Sequence, residues 1–228
     1  SLYMIGPYQA MYAGNFDKPY FYEKTYRQMD LMRRNMTDPH TGLLYHAWDD
    51  SKLIDWADKT TGLSAEFWGR AIGWYAVAIL EILDFLPEDD PRRRDFIDAE
   101  LDILNALVRF QDQETGLWYQ VVDKGDDPRN WHETSCSCLF AYAIAKAARK
   151  GLVHKAWLRH AEKAYRGVIK GGVSFEGEDL LVSRVCIGTG VGDYEHYLKR
   201  PTVTNDLHGM GAFLLFCTEF YSAAAALG

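Results

Sequence analysis

Positive charge is what this sequence lacks first. Twenty-five Lys and Arg stand against 32 Asp and Glu, a net charge of −7 over 228 residues. That balance excludes a nucleic-acid backbone as the main ligand, because neutralising phosphates needs a basic surface. One or two local cations would still be enough to hold an anionic sugar. Cysteine is scarce as well: Cys136, Cys138, Cys186 and Cys217 show no zinc-like spacing, and no metal site is expected. Cys136 and Cys138 lie two apart at the start of a helical pattern and so point in different directions. All four read as buried free thiols, acting as small hydrophobes. Free thiols suit a reducing compartment, so the expected location is the cytoplasm, with the periplasm as the alternative. Long hydrophobic runs are also missing. Gly, Arg or Glu interrupts the apolar stretches, so no segment is expected to span a bilayer and no membrane partner is expected.

What the chain does have is aromatic surface: 14% Phe, Trp and Tyr, with seven Trp, in a composition that is 48% hydrophobic. This is a globular composition, long enough for one large domain. Aromatics in such number serve either sugar stacking or core packing. A loop is also written twice. Asp38-Pro39-His40-Thr41-Gly42-Leu43-Leu44-Tyr45-His46 recurs as Asp112-Gln113-Glu114-Thr115-Gly116-Leu117-Trp118-Tyr119-Gln120. Each copy starts where a helical pattern stops, turns at Thr-Gly and continues as an extended aromatic run. Repeated helix-loop-helix units bury their apolar faces against one another, as in solenoids and toroids, and their loops collect on one face. His, Trp, Tyr, Gln and Asp on that face suggest a sugar-binding rim.

The helical period predicts elements over 2–12, broken at Gly6-Pro7, and over 20–36, 67–86, 134–150, 155–169 and 207–226. Asp90-Pro91 is expected to cap and begin another helix before Phe96, and Thr134 or Ser135 to cap the helix that follows the second loop. Residues 171–192 are Gly-rich around an apolar run at 180–185, which predicts a functional loop or small hairpin. No linker-like tract separates these elements, so about eight helices in a single domain, 1–228, are expected. Gly188-Thr189-Gly190-Val191-Gly192 lacks the Lys-Ser/Thr and the strand-to-helix context of a phosphate loop, which excludes a nucleotide site.

Several motifs together carry a family resemblance. Tyr45-His46-Ala47-Trp48-Asp49, Trp56-Ala57-Asp58, Phe67-Trp68-Gly69-Arg70 and Gly73-Trp74-Tyr75 occur in order. They are followed by Gly116-Leu117-Trp118-Tyr119-Gln120, Asp123-Lys124-Gly125, Glu133-x-Ser135-x-Ser137 and Thr204-Asn205-Asp206-x-His208-Gly209. Across nearly its whole length the chain resembles the unsaturated rhamnogalacturonyl hydrolases of glycoside hydrolase family 105. It resembles the unsaturated glucuronyl hydrolases of family 88 less closely. The resemblance implies an all-α (α/α)6 toroid that here lacks its first helices, with an active-site aspartate immediately before Ser1. It leaves apolar faces uncovered on residues 2–11 and 213–220.

The resemblance also implies a chemistry that needs no cofactor and no metal. The substrate is a small oligosaccharide ending in a 4,5-unsaturated galacturonyl residue, left by pectin lyases. A carboxylic acid protonates the vinyl-ether double bond, and the same group deprotonates the water that adds. The resulting hemiketal opens and the glycosidic bond breaks. Such a group needs a pKa not far below working pH, as partial burial beside aromatic rings can provide. Asp58 is the expected acid by its spacing from His46, with Asp49 the competitor; either could instead hold a turn. His46, Arg70, Trp118, Gln120, His132, Glu133 and His208 are the expected substrate-binding residues. For Arg70 the alternative is a structural ion pair, for Trp118 packing between helices, and for Glu133 service to a helix N-terminus. A sugar-binding toroid without turnover remains the non-enzymatic alternative.

Overall fold

The computed structural model describes residues 2–227. Eight α-helices run in order among them: α1 (Leu2–Phe16), α2 (Tyr20–Met36), α3 (Gly69–Phe85), α4 (Arg93–Arg109), α5 (Thr134–Arg149), α6 (Leu158–Gly172), α7 (Tyr194–Leu198) and α8 (Leu207–Leu227). The long helices form two layers. α1, α3, α5 and α8 pack side by side as an inner arc, and α2, α4 and α6 pack against its outside. The sequence explains this division. α5 is buried from Thr134 to Ala148, and its alanines let neighbouring helices approach closely. α2 and α4 bury only one stripe each, as surface helices do. The layered helical hairpins are those of an α/α toroid.

Glycine sets two of the closest approaches. A Cβ on Gly73 would sit 2.7 Å from the Leu139 side chain, so α3 and α5 touch there through bare backbone. A Cβ on Gly6 would meet Ile82 at 3.0 Å, where α1 crosses α3. The expected break at Gly6-Pro7 does not occur: α1 runs on to Phe16 with Pro7 inside it. Two expected helix starts also move. α4 begins at Arg93, after the Asp90 carboxylate has accepted the Arg92 amide at 2.9 Å. α5 is capped not by Thr134 or Ser135 but by Glu133, whose side chain accepts the Cys136 amide.

The arc ends on two partly bare helices. Met4, Ile5 and Tyr8 of α1 are exposed, as are Leu214 and Tyr221 of α8, whereas Leu2, Phe213 and Phe216 are buried. The expectation that no segment could span a bilayer needs correcting. α8, with 21 residues and a mean hydropathy of 1.5, is long and apolar enough by length and composition. Its single acidic residue, Glu219, is held by Arg149 of α5 at 2.5 Å, and its buried face packs on α5 and α6.

The repeated loop is written three times, not twice. Asp38, Asp58 and Asp112 each open a D-x-x-T-G-L segment of the same geometry. In every copy the Asp carboxylate accepts the Thr amide, at 2.7, 2.7 and 2.6 Å, and the Thr hydroxyl as well. The glycine amide donates back to the Asp carbonyl, and the Asp amide donates to the carbonyl of Leu43, Leu63 or Leu117. Gly42, Gly62 and Gly116 hold φ of 74°, 81° and 77°, the left-handed region that glycine enters without a Cβ penalty. Single-residue bridges then join Trp48 to Leu63, Trp68 to Val121 and Tyr119 to His132, so the loops form one woven surface at one end of the arc. Beside it lie a hairpin of β1 (Val173–Glu176) and β2 (Asp179–Val182), and the two-residue pair β3 (Val185–Cys186) with β4 (Thr202–Val203). The Gly-rich tract is thus a hairpin followed by a loop. Cys136, Cys138 and Cys186 are buried free thiols, and Cys217 is half-buried.

Candidate functional site

A cleft of about 370 Å3 opens between the loop surface and the inner helices. Met4, Met32 and Met36 form its apolar side, and His46, Trp68, Arg70, Trp74, Thr189 and His208 its polar and aromatic side. No Asp or Glu lines it among the described residues. His46 arrives on the extended run after the first Thr-Gly loop, anchored by its amide on the Glu66 carbonyl at 3.0 Å. Its ring lies 4.6 Å from that of Trp68, which stacks in turn on Tyr197 at 6.1 Å and 18°.

Burial holds the His46 pKa down at about 4, with help from the Arg70 charge and from His196. The imidazole is therefore neutral at neutral pH. Its Nδ1 lies 2.6 Å from the Tyr197 hydroxyl, and that oxygen also accepts the Gly192 amide at 3.3 Å. With Gly192 donating to it, the hydroxyl turns its own proton to Nδ1, which leaves Nε2 as the protonated nitrogen. His46 thus offers a neutral donor to an oxygen. His208, across the cleft at the start of α8, is held by Asp206, which accepts from both its amide (2.9 Å) and its Nδ1 (2.8 Å). Between them Thr189 stands on the loop after β3, donating to the Ile187 carbonyl at 2.7 Å.

Arg70 borders this cleft but is 3% exposed and already engaged. It donates to the carbonyls of Cys186 (2.5 Å) and Ile187 (2.7 Å) and to the Ser135 hydroxyl (3.2 Å), with its guanidinium over the Trp68 ring at 4.7 Å. Its countercharge is Glu133, 3.8 Å away and 1% exposed. Glu133 also accepts the amides of Cys136 (2.6 Å) and Cys186 (2.9 Å) and the Ser135 hydroxyl. A fully committed carboxylate cannot reach a sugar. Glu133 is the buried joint between α5, β3 and Arg70, so its substrate-binding assignment is withdrawn; Arg70 pairs with it and still lines the cleft.

The remaining expected residues divide. His46 and His208 meet in the cleft. Gln120 sits beneath it, fully buried, donating to the Tyr197 carbonyl at 2.6 Å, so it positions the tyrosine rather than meeting a ligand. Trp118 is fully buried in the helical core, its indole N–H donating to the Leu107 carbonyl at 2.8 Å. That is the packing alternative, because the alternation that turns Gln120 inward turns Trp118 inward too. His132 leaves the cleft altogether and stacks on Tyr119 at 4.2 Å, on the side of the extended run away from Gln120. Asp58 and Asp49 are also elsewhere. Asp58 is exposed and holds the second D-x-x-T-G-L turn, and the Thr61 amide lowers its pKa, followed by Thr60. Asp49 accepts from the Ser51 hydroxyl and the Leu53 amide, and Ser51 lowers its pKa first. A proton donor needs its pKa shifted the other way. The geometry gives both residues the turn role.

Sequence reasoning missed Tyr197 as a partner of the cleft, whereas Asp206 and Thr189 stood in segments already noted without a role there. Trp68 and Trp74 stood in motifs that had already been noted, and their aromatic faces were the available signal. Tyr197 had none, because its contact with His46 crosses 151 positions.

The comparisons with known proteins are specific. The family model described as Glycosyl Hydrolase Family 88 matches residues 1–224. Protein Atu3128 of Agrobacterium fabrum is 30% identical over 227 residues, covering 93% of this chain and 96% of that protein. Unsaturated rhamnogalacturonyl hydrolase YesR of Bacillus subtilis is 30% identical over 221 residues, covering 96% of this chain and 58% of that protein. A solved glycoside hydrolase from family 105 of C. acetobutylicum superposes with a TM-score of 0.93 at 32% identity, over 97% of this chain and 64% of that one. The chain thus spans less than two thirds of the last two proteins and nearly all of the first.

Proposed function

This chain belongs to glycosyl hydrolase family 88, and from that membership we propose that it works on the terminal 4,5-unsaturated galacturonyl residue left by pectin (rhamnogalacturonan) lyases. Its family 105 relatives support that finer type, and YesR supports galacturonyl-rhamnose as the disaccharide. The observation that carries the reading is the cleft itself. Its polar groups are a neutral donor at His46, the Asp206-held His208 and the Thr189 hydroxyl, set among Trp68, Trp74 and Tyr45. Aromatic faces with a few fixed polar groups suit an unsaturated sugar ring, flat at its double bond and oxygen-rich at its edge.

Hydration of the vinyl ether needs a carboxyl group that gives its proton to the double bond and takes one from the adding water. Neither Asp58 nor Asp49 is placed or tuned for this. We therefore propose that the proton donor is a carboxyl other than these two, since none lines the cleft among the described residues. His46 and His208 orient the sugar, and Gln120 and Tyr197 hold His46.

The test supplies an unsaturated galacturonyl-rhamnose disaccharide and follows loss of the ultraviolet absorbance of the conjugated uronate. The protein is expected to consume it and to leave the saturated disaccharide untouched. Release of galacturonic acid from the saturated substrate at a comparable rate would overturn the reading. Turnover by residues 1–228 that Asp49→Asn abolishes would return the acid to Asp49. Preference for an unsaturated glucuronyl disaccharide would instead make the specificity that of an unsaturated glucuronyl hydrolase.

A further inference from the structure

A second cleft, of about 500 Å3, lies on the outer side of the extended run that carries Gln120. Strand alternation explains why it is separate. Gln120 turns inward to Tyr197, so its neighbour Tyr119 turns outward, where it stacks on His132 at 4.2 Å. Trp131 adds another aromatic wall, and Arg184 and Thr202, flanking β3 and in β4, close the far side. The buried Glu133 and Cys186 lie between this cleft and the one that holds His46.

The frame is already formed. Asn130 is buried, with its side chain fully used: it donates to the carbonyls of Val121 (2.8 Å) and Lys124 (3.0 Å) and accepts the Trp131 amide. Gly125 lets the 123–130 loop close on the Tyr119 ring, since a Cβ there would lie 2.8 Å from it. Asp127, the one carboxylate of the wall, is tied to Arg129 at 2.8 Å. Burial lowers the His132 pKa, so its ring is uncharged at neutral pH.

Arg184 is the exception in this settled frame. It is exposed and has no ion pair or side-chain hydrogen-bond acceptor among the described residues. Its φ is +56°, in the left-handed region where a long side chain is uncommon and Gly or Asn is cheaper. An arginine held there at a conformational cost, with its fork unoccupied beside two aromatic faces, matches a carboxylate-bearing sugar. A uronate ring set on the Trp131 face would place its carboxylate to accept two parallel bonds from the guanidinium.

We propose that the Tyr119–Trp131–Arg184 cleft is a second, non-catalytic binding site for an acidic saccharide of the uronate class. It is independent of the chemistry assigned to the His46 cleft, and the experiment keeps the two apart. Saturated trigalacturonate, which the hydration reaction cannot consume, is titrated calorimetrically into the 228-residue chain. Arg184→Gly is the main variant, because glycine accepts the backbone geometry and the fold should survive with an unchanged or higher melting temperature. It should weaken binding by about tenfold or more, as loss of a charge-assisted fork does. Trp131→Ala should weaken it likewise, and His46→Ala should leave it unchanged. Methyl-esterified trigalacturonate should bind as poorly to wild type as the free acid binds to Arg184→Gly. No binding by the folded wild-type chain, binding insensitive to Arg184→Gly, or binding lost in His46→Ala would each overturn the proposal.

Discussion

The Nδ1 of His46 and the hydroxyl of Tyr197 lie 2.6 Å apart, joining the first Thr-Gly loop to the short α7 across 151 positions of sequence. Tyr197 is fully buried, and Gln120 grips its carbonyl from the second loop. One tyrosine thus receives a contact from each of two repeated loops and passes it to the cleft as the orientation of an imidazole. The cleft is built by the repeat, although most of the repeated residues never touch it.

Replacing Tyr197 with Phe tests that relay. The ring remains to stack on Trp68, but Nδ1 loses its donor and the neutral ring no longer has a preferred tautomer. Binding of the unsaturated disaccharide should weaken by about five- to tenfold, the worth of one hydrogen bond. The melting temperature should change little, because the packed volume is kept. Equal losses in binding and in stability would make the contact structural only.

The pH dependence of His46 follows from its pKa of about 4 in the fold against 6.5 when exposed. Between these values the unfolded chain binds a proton that the folded chain refuses, so stability from this residue is full above pH 6.5 and is lost as the pH falls toward 4. His46→Gln should flatten the melting-temperature profile over that window. Wild type and variant should differ most in slope near pH 5. Parallel profiles from pH 4 to 7 would contradict the buried neutral state.

Much of this was legible in the sequence, for identifiable reasons. α2 falls on 20–36 as expected, and α8 within one residue of its expected end, because an apolar stripe against solvent imposes a 3.6-residue period. The break expected in α1 failed because Gly6 serves a neighbouring helix rather than a turn. The third loop was present in the letters Asp58-Lys59-Thr60-Thr61-Gly62-Leu63 and would have assigned Asp58 its turn. Trp118 and Glu133 could not be placed from the sequence. An aromatic residue or a carboxylate reads alike in a cleft and in a core, until the partner that engages it, here Leu107 or Cys186, is brought near by the fold.

Glu100 of α4 makes an opposite prediction. It is fully buried, and neither carboxyl oxygen has a hydrogen-bond partner. Burial raises its pKa well above the ordinary 4.5, with only the Lys146 charge of α5 opposing it and Tyr75 of α3 nearby. The folded chain therefore keeps a proton that the unfolded chain releases, and stability falls as the pH rises above about 4.5. Glu100→Met, which fills the space without the carboxyl, should raise the denaturant midpoint at pH 8. That gain should shrink as the pH is lowered to 4.5. A destabilised variant at pH 8 would mean that Glu100 is engaged by a partner in solution.

The three turns offer a paired test of what glycine contributes to the repeat. Gly116 and Gly151 both hold left-handed backbone, with φ of 77° and 71°. Gly151, after α5, has nothing within 4 Å of where a Cβ would stand, whereas on Gly116 that atom would meet the Lys163 carbonyl oxygen at 2.6 Å. Gly151→Ala should therefore cost only the conformational term, about 1–2 kcal/mol. Gly116→Ala carries the same term plus a clash with α6 backbone, which cannot swing aside as a side-chain tip can. It should cost at least about 1 kcal/mol more, read as the difference in denaturant midpoint at constant slope. Since the loop joins α4 to the extended run that carries Gln120, the Gly116 variant should also loosen the disaccharide site, and Gly151→Ala should not. Equal costs in the two variants would show that the loop shifts freely off α6 and that the repeat does not fix the cleft.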